Sequence, residues 1–287
     1  MFKDKIPSPL FILPAIIFTA FSSIIIKSVQ AEPILIAFYR MFFSSFLVLP
    51  FTLRENRGKI PLLEKKELYL CLASGAFLAL HFASWIASLS HTSVAASTIL
   101  VSMCPLFVIL YEAFFLRKRP EPKTLISFAL ALTGTVLIAL DSYAAGSGIW
   151  GNFLALTGGM AVAGYLIIGE EAQKTVKIWL YVFYVYSIAA GFLGVFSLFK
   201  GASAFLLSGQ NLALIFLMSI LCSLLGHTIY NWMVGYHGAG IVSLAVLAEP
   251  VFASLLAIPF LKEYPGIFTV FGGLIILPAV GLSIRRK

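Results

Sequence analysis

The chain contains ten long apolar stretches separated by short segments rich in charged residues, Pro and Gly. A helix needs about 20 apolar residues to cross the hydrocarbon core of a bilayer, and backbone polar groups are satisfied there only in helices or closed barrels. We therefore expect an all-α membrane protein with ten transmembrane helices. The stretches cover residues 9–27, 33–53, 68–90, 93–116, 122–140, 149–169, 178–199, 211–234, 240–261 and 265–284.

Composition excludes a water-soluble globular fold. Of the 287 residues, 60% are hydrophobic and 11% are charged, whereas soluble domains carry about 25% charged residues. Ten spans of about 20 residues occupy most of the chain. No room is therefore left for an extramembrane domain.

The distribution of basic residues predicts the orientation in the membrane. The net charge is +8, but Lys and Arg lie almost entirely in loops and tails, so a nucleic-acid interface is not indicated. Short cytoplasmic loops accumulate positive charge. With a cytoplasmic N-terminus, sixteen of the 20 Lys and Arg residues lie on the cytoplasmic side, and only Lys27, Lys200 and Lys262 lie outside. The sequence therefore predicts an integral protein of the cell membrane with both termini cytoplasmic.

The two halves of the chain resemble each other. A shift of 146 residues places His81 on His227, and a shift of 145 places the segment 105–116 on 250–261 with five identities in twelve positions. We expect two five-helix repeats, residues 1–143 and 147–287. Because five is odd, the second repeat begins on the opposite side of the membrane, which makes the repeats inverted. Inverted repeats recur in secondary transporters, where the substrate site lies near the bilayer midplane.

The sequence offers no signal for a metal site, a disulfide or a cofactor. Cys71, Cys104 and Cys222 lie inside apolar stretches without CxxC spacing, which is typical of packing residues. An intramembrane enzyme is the alternative from another functional class. No HExxH motif is present, and the two aspartates, Asp4 and Asp141, lie at membrane boundaries. An enzyme would therefore lack a recognisable catalytic motif.

A repeat-related pair of histidines predicts the centre of the site. His81 and His227 both fall near the middle of their spans, and a pseudo-twofold axis would direct them at the same space. The alternative is that each histidine makes an ordinary interhelical hydrogen bond. The predicted substrate pathway comprises His81, Ser84, Trp85, Tyr165, His227, Tyr230, Asn231, Trp232 and Glu249.

Ionisable residues within apolar stretches are costly and mark candidate functional positions. Glu249 lies near the middle of its span, where burial disfavours the charged carboxylate, so it is a candidate site for a proton or a substrate amine. The alternative is that it only fixes helix packing. Arg40 is a candidate gating or ion-pair residue that could bind a cargo carboxylate, pair with Glu249 or snorkel to the surface. Pro105 and Pro250 occupy equivalent positions and are candidate helix hinges.

Several motifs carry a family resemblance over essentially the whole chain. They are Phe38-Tyr39-Arg40, the segment HFASWIASLSHTSVAASTILVSMCPLFVIL (81–110), LAEPVFASLLAIPFLKE (247–263) and Gly272-Gly273. The sequence resembles the drug/metabolite transporter superfamily, in particular its EamA-like ten-helix branch. The resemblance implies movement of small metabolites, often export of amino acids, nucleoside-like compounds or drugs. The basic segment 117–119 departs from the family, which has an acidic residue at the end of span four.

These observations together predict a secondary transporter, working as an exporter, that moves a small metabolite such as an amino acid by alternating access. The predicted lining has few fixed charges and many aromatic groups, which suits a zwitterion or an aromatic metabolite better than a polyanion. The expected partners are a small-molecule substrate and the lipid bilayer, with H⁺ as a candidate coupled ion. A homodimer is left open.

Overall fold

The computed structural model describes residues 11–115, 117, 122–144, 148–199 and 207–284. Within these residues the chain forms helices joined by short turns, with no β-strand. Part of the predicted charge pattern lies outside the described residues. It comprises Lys3, Lys5, Lys118, Arg119, Lys200, Arg285, Arg286 and Lys287.

In the described part of the first half the chain forms six α-helices, and local signals explain where several begin. Pro33 lies in the first turn of α2, where its missing N–H costs nothing. The Ser93 side chain accepts a hydrogen bond from the Ala96 N–H at 3.0 Å and so caps α4. The helices are α1 (Ile12–Ser28), α2 (Pro33–Glu55), α3 (Lys65–Ser88), α4 (Val94–Val101), α5 (Cys104–Phe114) and α6 (Pro122–Ala144).

The second half contains six further α-helices and two helical segments of other geometry. A π-helix precedes α10, and a 3₁₀-helix precedes α11. The helices are α7 (Ile149–Ala172), α8 (Ile178–Phe199), α9 (Gly209–Met218), the π-helix (Ser219–His227), α10 (Thr228–Ala245), the 3₁₀-helix (Val246–Ala248), α11 (Glu249–Leu261) and α12 (Ile267–Ile284).

Within the described residues, six helical stretches are long and apolar enough to cross a membrane. They are Pro33–Glu55, Lys65–Ser88, Val94–Phe114, Ile149–Ala172, Ile178–Phe199 and Gly209–Leu261. Shorter apolar helices include Ile12–Ser28 and Ile267–Ala279. The protein is therefore an all-helical membrane protein.

The longest of these stretches is interrupted at Gly238. This glycine has φ 81° and ψ 163°, a conformation that residues with a Cβ rarely adopt. The next residue, Ala239, donates its backbone N–H to the Glu170 carboxylate at 2.6 Å, which satisfies a donor that the interruption leaves free. Gly238 lies between the predicted stretches 211–234 and 240–261, so the chain leaves helical geometry where the sequence predicts a boundary.

Helices from both halves pack around the middle of the protein. Helix α3 packs on α7, α2 on α8, α6 on α12, and α1 on the π-helix and α11. A glycine lets α7 approach α4 closely, because a Cβ at Gly159 would lie 2.8 Å from the Val101 carbonyl oxygen. This approach brings α3, α4 and α7 to one side of an internal cavity.

Candidate functional site

A small cavity lies at the meeting point of these helices. Its volume is about 40 Å³, which is room for about three water molecules. Its wall combines residues from both halves of the chain. The lining residues are Ser22, His81, Trp85, Val101, Ser102, Cys104, Val162, Leu166, His227, Tyr230, Val246 and Glu249.

Two interrupted helices border the cavity. Helix α4 ends at Val101 and α5 restarts at Cys104, with Pro105 in its first turn. In the second half the 3₁₀-helix Val246–Ala248 precedes α11, which has Pro250 in its first turn. Each predicted hinge proline therefore lies directly after a break in α-helical geometry, and residues beside both breaks line the cavity. Movement at these breaks stays a prediction.

Helix α3 contributes a stacked pair of aromatic rings to the wall. The His81 and Trp85 rings lie 5.8 Å apart at an interplanar angle of 10°. His81 Nδ1 lies 2.9 Å from the Gly158 carbonyl oxygen, which can only accept. A neutral His81 therefore donates from Nδ1 and keeps Nε2 as an acceptor. Trp85 is 3% exposed, and its Nε1 finds no acceptor among the described residues.

The second histidine lies opposite the first, at the end of the π-helix. The His227 ring centroid is 6.2 Å from that of His81. Its ring also meets Phe82 edge-on at 5.3 Å and Tyr230 at 5.7 Å. The two histidine rings therefore lie side by side, one from each half of the chain, and their place in a substrate pathway stays a prediction.

Tyr230 and Glu249 meet at a hydroxyl on α1. The Tyr230 hydroxyl lies 2.7 Å from Thr19 Oγ1, and the Glu249 carboxyl group also interacts with the Thr19 hydroxyl. Arg40 acts electrostatically on Glu249, although the two do not form an ion pair in the described structure. The sequence alone did not indicate Thr19 as a site residue, because a single threonine in an apolar helix follows no recognisable pattern.

Arg40 is completely buried and connects four helical elements. Its Nη1 donates to Ser22 Oγ at 2.8 Å, and its Nε donates to Ser223 Oγ at 3.0 Å. The guanidinium carbon lies 4.2 Å from the centroid of the Phe82 ring, within the range of a cation–π contact. Since Arg40 is 0% exposed, its side chain does not snorkel to the surface.

The π-helix is the feature that sequence reasoning missed. It brings Ser219 and Ser223 onto Arg40, because Ser219 Oγ donates to the Arg40 carbonyl oxygen at 3.1 Å. π-Helical turns are rare and frequently occur at functional sites. One feature of the sequence indicates this π-helix. Ser74 matches Ser219 at a shift of 145, whereas His81 matches His227 at a shift of 146. One inserted residue accounts for this change of shift.

Four of the predicted pathway residues lie outside the cavity wall. Ser84 donates to the Leu80 carbonyl oxygen at 2.7 Å within its own helix. Asn231 Nδ2 donates to the Tyr165 hydroxyl, which places both residues in a buried layer behind His227.

Trp232 is the fourth of these residues, and its expected place in the cavity wall requires correction. Its ring packs on Phe11 at 6.2 Å and on Tyr236 at 5.8 Å. Phe11 is 58% exposed, so Trp232 lies toward the periphery. Trp232 follows His227 by five residues. At about 100° per residue, the two side chains lie about 140° apart around an α-helix. The residue that matches Trp85 at the shift of 146 is Asn231.

The three cysteines are buried and free. Within the part of the chain that the structure describes, no group of three or more His, Cys, Asp or Glu side chains could hold a metal ion.

Comparison with known proteins agrees with this architecture. The profile of the EamA-like transporter family matches twice, at residues 7–140 and 149–285. An uncharacterized transporter of Archaeoglobus fulgidus is 24% identical over 262 residues, covering 90% of each chain. Solute carrier family 35 member G1 of Mus musculus is 24% identical over 305 residues, covering 99% of this chain and 81% of the relative.

A solved structure described only as the crystal structure of a protein has the same fold. It superposes with a TM-score of 0.69 at 18% identity and covers 96% of this chain and 95% of its own. The family match and the names of the relatives indicate a membrane transporter, a class of proteins that are generally not enzymes. The chain belongs to the EamA-like transporter family, within the drug/metabolite transporter superfamily.

Proposed function

We propose that this protein is a secondary transporter that exports a small metabolite, such as an amino acid or a related amphipathic compound, by alternating access. The observation that carries the proposal is the cavity where the two interrupted helices meet the histidine pair. Interrupted helices at the membrane midplane form the substrate sites of many secondary transporters.

The proposed architecture is ten spans arranged as two inverted five-helix repeats. The two family matches, one to each half of the chain, support it. Helix packing supports it as well, because α2 contacts its equivalent α8 and α6 contacts its equivalent α12. The contact of α3 with α7 likewise has a counterpart in the contact of the π-helix with α1.

The cavity is too small for a metabolite in this conformation. Sites for small molecules usually occupy about 300–1,000 Å³, against the 40 Å³ available here. The cavity must therefore widen before a metabolite can bind in the proposed cycle. Binding and release require the helices at one end of the cavity to separate.

Polar contacts close the bundle at both ends. At one end, Lys27 Nζ lies 2.9 Å from Glu263, whose other carboxylate oxygen accepts the Val94 backbone N–H. At the other end, Glu170 accepts the Ala239 N–H. Ion pairs exposed to solvent contribute about 0–1 kcal/mol. These contacts can therefore break and form during a transport cycle.

The wall suits an amphipathic cargo. The stacked rings of His81 and Trp85 offer an aromatic surface, and Glu249 offers an acceptor for an ammonium group. Glu249 is also the proposed carrier of a coupled H⁺. The orientation with both termini in the cytoplasm of a cell-membrane protein belongs to the same proposal and rests on the distribution of Lys and Arg.

Metabolite profiling followed by reconstitution tests the function. Spent medium from cells with and without overexpression identifies compounds whose efflux rises, and these are then measured in sealed proteoliposomes. We expect selective flux above that of protein-free liposomes. The proposal fails if no compound from the profile crosses faster in the presence of the protein, or if the selected compound is a polyanion.

A further inference from the structure

Arg40 has an incomplete set of hydrogen bonds. Its Nε and Nη1 donate to serine hydroxyls, but its Nη2 is buried and finds no acceptor in the described part of the chain. A guanidinium group carries five N–H donors and no acceptor. Some of its hydrogen-bonding capacity is therefore unused among the described residues, at a position with no exposure to bulk solvent.

Within the described residues, no carboxylate forms an ion pair with the guanidinium of Arg40. Both side-chain partners, Ser22 and Ser223, are neutral, and Glu249 acts on the guanidinium without forming an ion pair. Burying an uncompensated charge is costly, and the cost falls only when an opposite charge arrives with good geometry. The protein therefore holds a cation whose partner is best supplied by a bound anion.

The position of Arg40 beside the cavity indicates where such an anion would bind. Ser22, which accepts from Nη1, is itself part of the cavity wall. The guanidinium thus lies directly behind this serine, and displacement of the neutral hydroxyl would bring it into contact with the cavity contents. Arg binds carboxylates through two parallel hydrogen bonds, a geometry that Lys cannot reproduce.

A second donor in the same wall lacks an acceptor. Trp85 Nε1 is buried, lines the cavity through its side chain and is unpaired within the described residues. Unpaired donors in a buried wall favour a ligand rich in acceptor oxygens. Glu249 limits the negative charge that the cavity can accept, because a dianion would be repelled.

We infer that Arg40 binds the carboxylate of the transported solute once the Ser22 hydroxyl moves away from the guanidinium group, and that Trp85 Nε1 donates to a further acceptor of the same molecule. The substrate class is small monocarboxylates, including zwitterions whose ammonium group contacts Glu249. This inference rests on the transport function proposed above. A free anion such as chloride has the same chemistry toward Arg40, so the experiment separates the two sources.

The test measures the thermal stability of the purified protein with matched probes. The probes are the 20 common L-amino acids, acetate and 3-phenylpropionate, each compared with its amide, and sodium chloride compared at equal sodium concentration with sodium sulfate, whose dianion the cavity should not accept. We expect at least one acid to bind the wild-type protein about tenfold more tightly than its amide, since hydrogen bonds to a charged group are the strong ones. Arg40→Lys should remove this preference, whereas Arg54→Lys, an exposed arginine on the same helix, should leave it unchanged.

A second variant keeps the test decisive if Arg40→Lys does not fold. Ser22→Ala leaves Arg40 in place but removes its competing acceptor, so carboxylate binding should become several-fold tighter while amide binding does not. The inference is overturned if acids and amides bind equally, if no acid binds, or if Ser22→Ala changes nothing. A shift produced by chloride alone, without competition from the acids, assigns the site to a free anion and also overturns it.

Proteoliposome flux separates this inference from the proposed function. If amides or neutral compounds are transported as fast as their acids, the result supports the proposed transport function and contradicts a carboxylate site at Arg40. If nothing is transported although an acid binds at Arg40, the result contradicts the proposed transport function instead.

Discussion

The imidazole rings of His81 and His227, 146 positions apart in the chain, lie 6.2 Å apart in the wall of one cavity. Each ring comes from a different half of the protein, and Phe82 packs against both. The pair therefore joins the two halves of the protein at the cavity.

Trp85 provides the first prediction. Trp85→Phe keeps an aromatic ring beside His81 but removes the indole N–H, so cargo affinity should fall about two- to tenfold, the usual effect of losing one hydrogen bond. Thermal stability should change little, because Nε1 makes no hydrogen bond within the described structure. Binding and thermal unfolding are measured on the same preparation.

Trp232→Phe is the matched control. Trp232 packs on Phe11 and Tyr236 outside the cavity wall, so cargo affinity should remain that of the wild type. Equal losses of affinity in both variants would mean that the cavity is not where the cargo binds.

Glu249 provides the second prediction. Glu249→Gln keeps the size and hydrogen-bonding capacity of the side chain but cannot titrate, so transport should lose its dependence on pH. The other charged or titratable groups around Glu249 are Arg40, Tyr230, Cys104 and Cys222, all of which this variant retains. Flux is measured at several pH values, with Glu249→Ala expected to lose stability as well.

Glu112→Gln is the control for proton coupling, since Glu112 is a carboxylate on α5 that does not line the cavity. Its pH profile should match the wild type. An unaltered profile in Glu249→Gln would remove the proton-carrier role and leave Glu249 as a packing residue.

The contact between Lys27 and Glu263 provides the third prediction. Glu263→Gln removes the ion pair and weakens the cap on α4, so the end of the bundle that the proposed orientation places outside should open more often. Cys104 lines the cavity, and a membrane-impermeant thiol reagent added outside should therefore label it several-fold faster. Cys104→Ser identifies the labelled site.

Lys262→Gln serves as the comparison, because Lys262 is exposed at the same end and is adjacent in sequence. Labelling in this variant should proceed at the wild-type rate. If Glu263→Gln and the wild type are labelled equally fast, the contact does not close the outer end.

The close approach of α7 to α4 provides the fourth prediction. A Cβ at Gly159 would meet the Val101 carbonyl oxygen at 2.8 Å, and this backbone atom can move only if a helix shifts. Gly159→Ala should therefore cost about 1–3 kcal/mol of stability, as overpacking usually does. Gly191→Ala is the control, because a Cβ there meets nothing within 4 Å. Thermal unfolding in detergent compares the two, and equal stabilities would contradict the packing argument.

Much of the helical arrangement could be predicted from the sequence, because the length of an apolar stretch and the charges at its ends are local properties of the chain. The predicted stretch 33–53 corresponds to α2, Pro33–Glu55, and the stretch 178–199 to α8. The approach of His81 to His227 was predictable for another reason: a repeat shift relates distant residues without any knowledge of contacts. The same shift pairs Trp85 with Asn231, and the helical period would have excluded Trp232 from the wall.

Other features depend on tertiary contacts that no local pattern reveals. The π-helix Ser219–His227 has no characteristic composition, and its geometry fits the serine contacts made with Arg40. The break between Val101 and Cys104 was indicated only by Pro105. Ser22 and Thr19 gain their roles from partners on other helices, so their importance could not be deduced from α1 alone.

Counterflow in proteoliposomes tests the central claim of carrier-type transport most directly. Vesicles are preloaded with unlabelled cargo, the compound identified by metabolite profiling, and diluted into a trace of labelled cargo. Alternating access predicts a transient accumulation of label inside above its outside concentration, with the compound chemically unchanged, and predicts that Trp85→Phe reduces it while Trp232→Phe does not. A monotonic approach to equal concentrations, or conversion of the compound, would contradict the account.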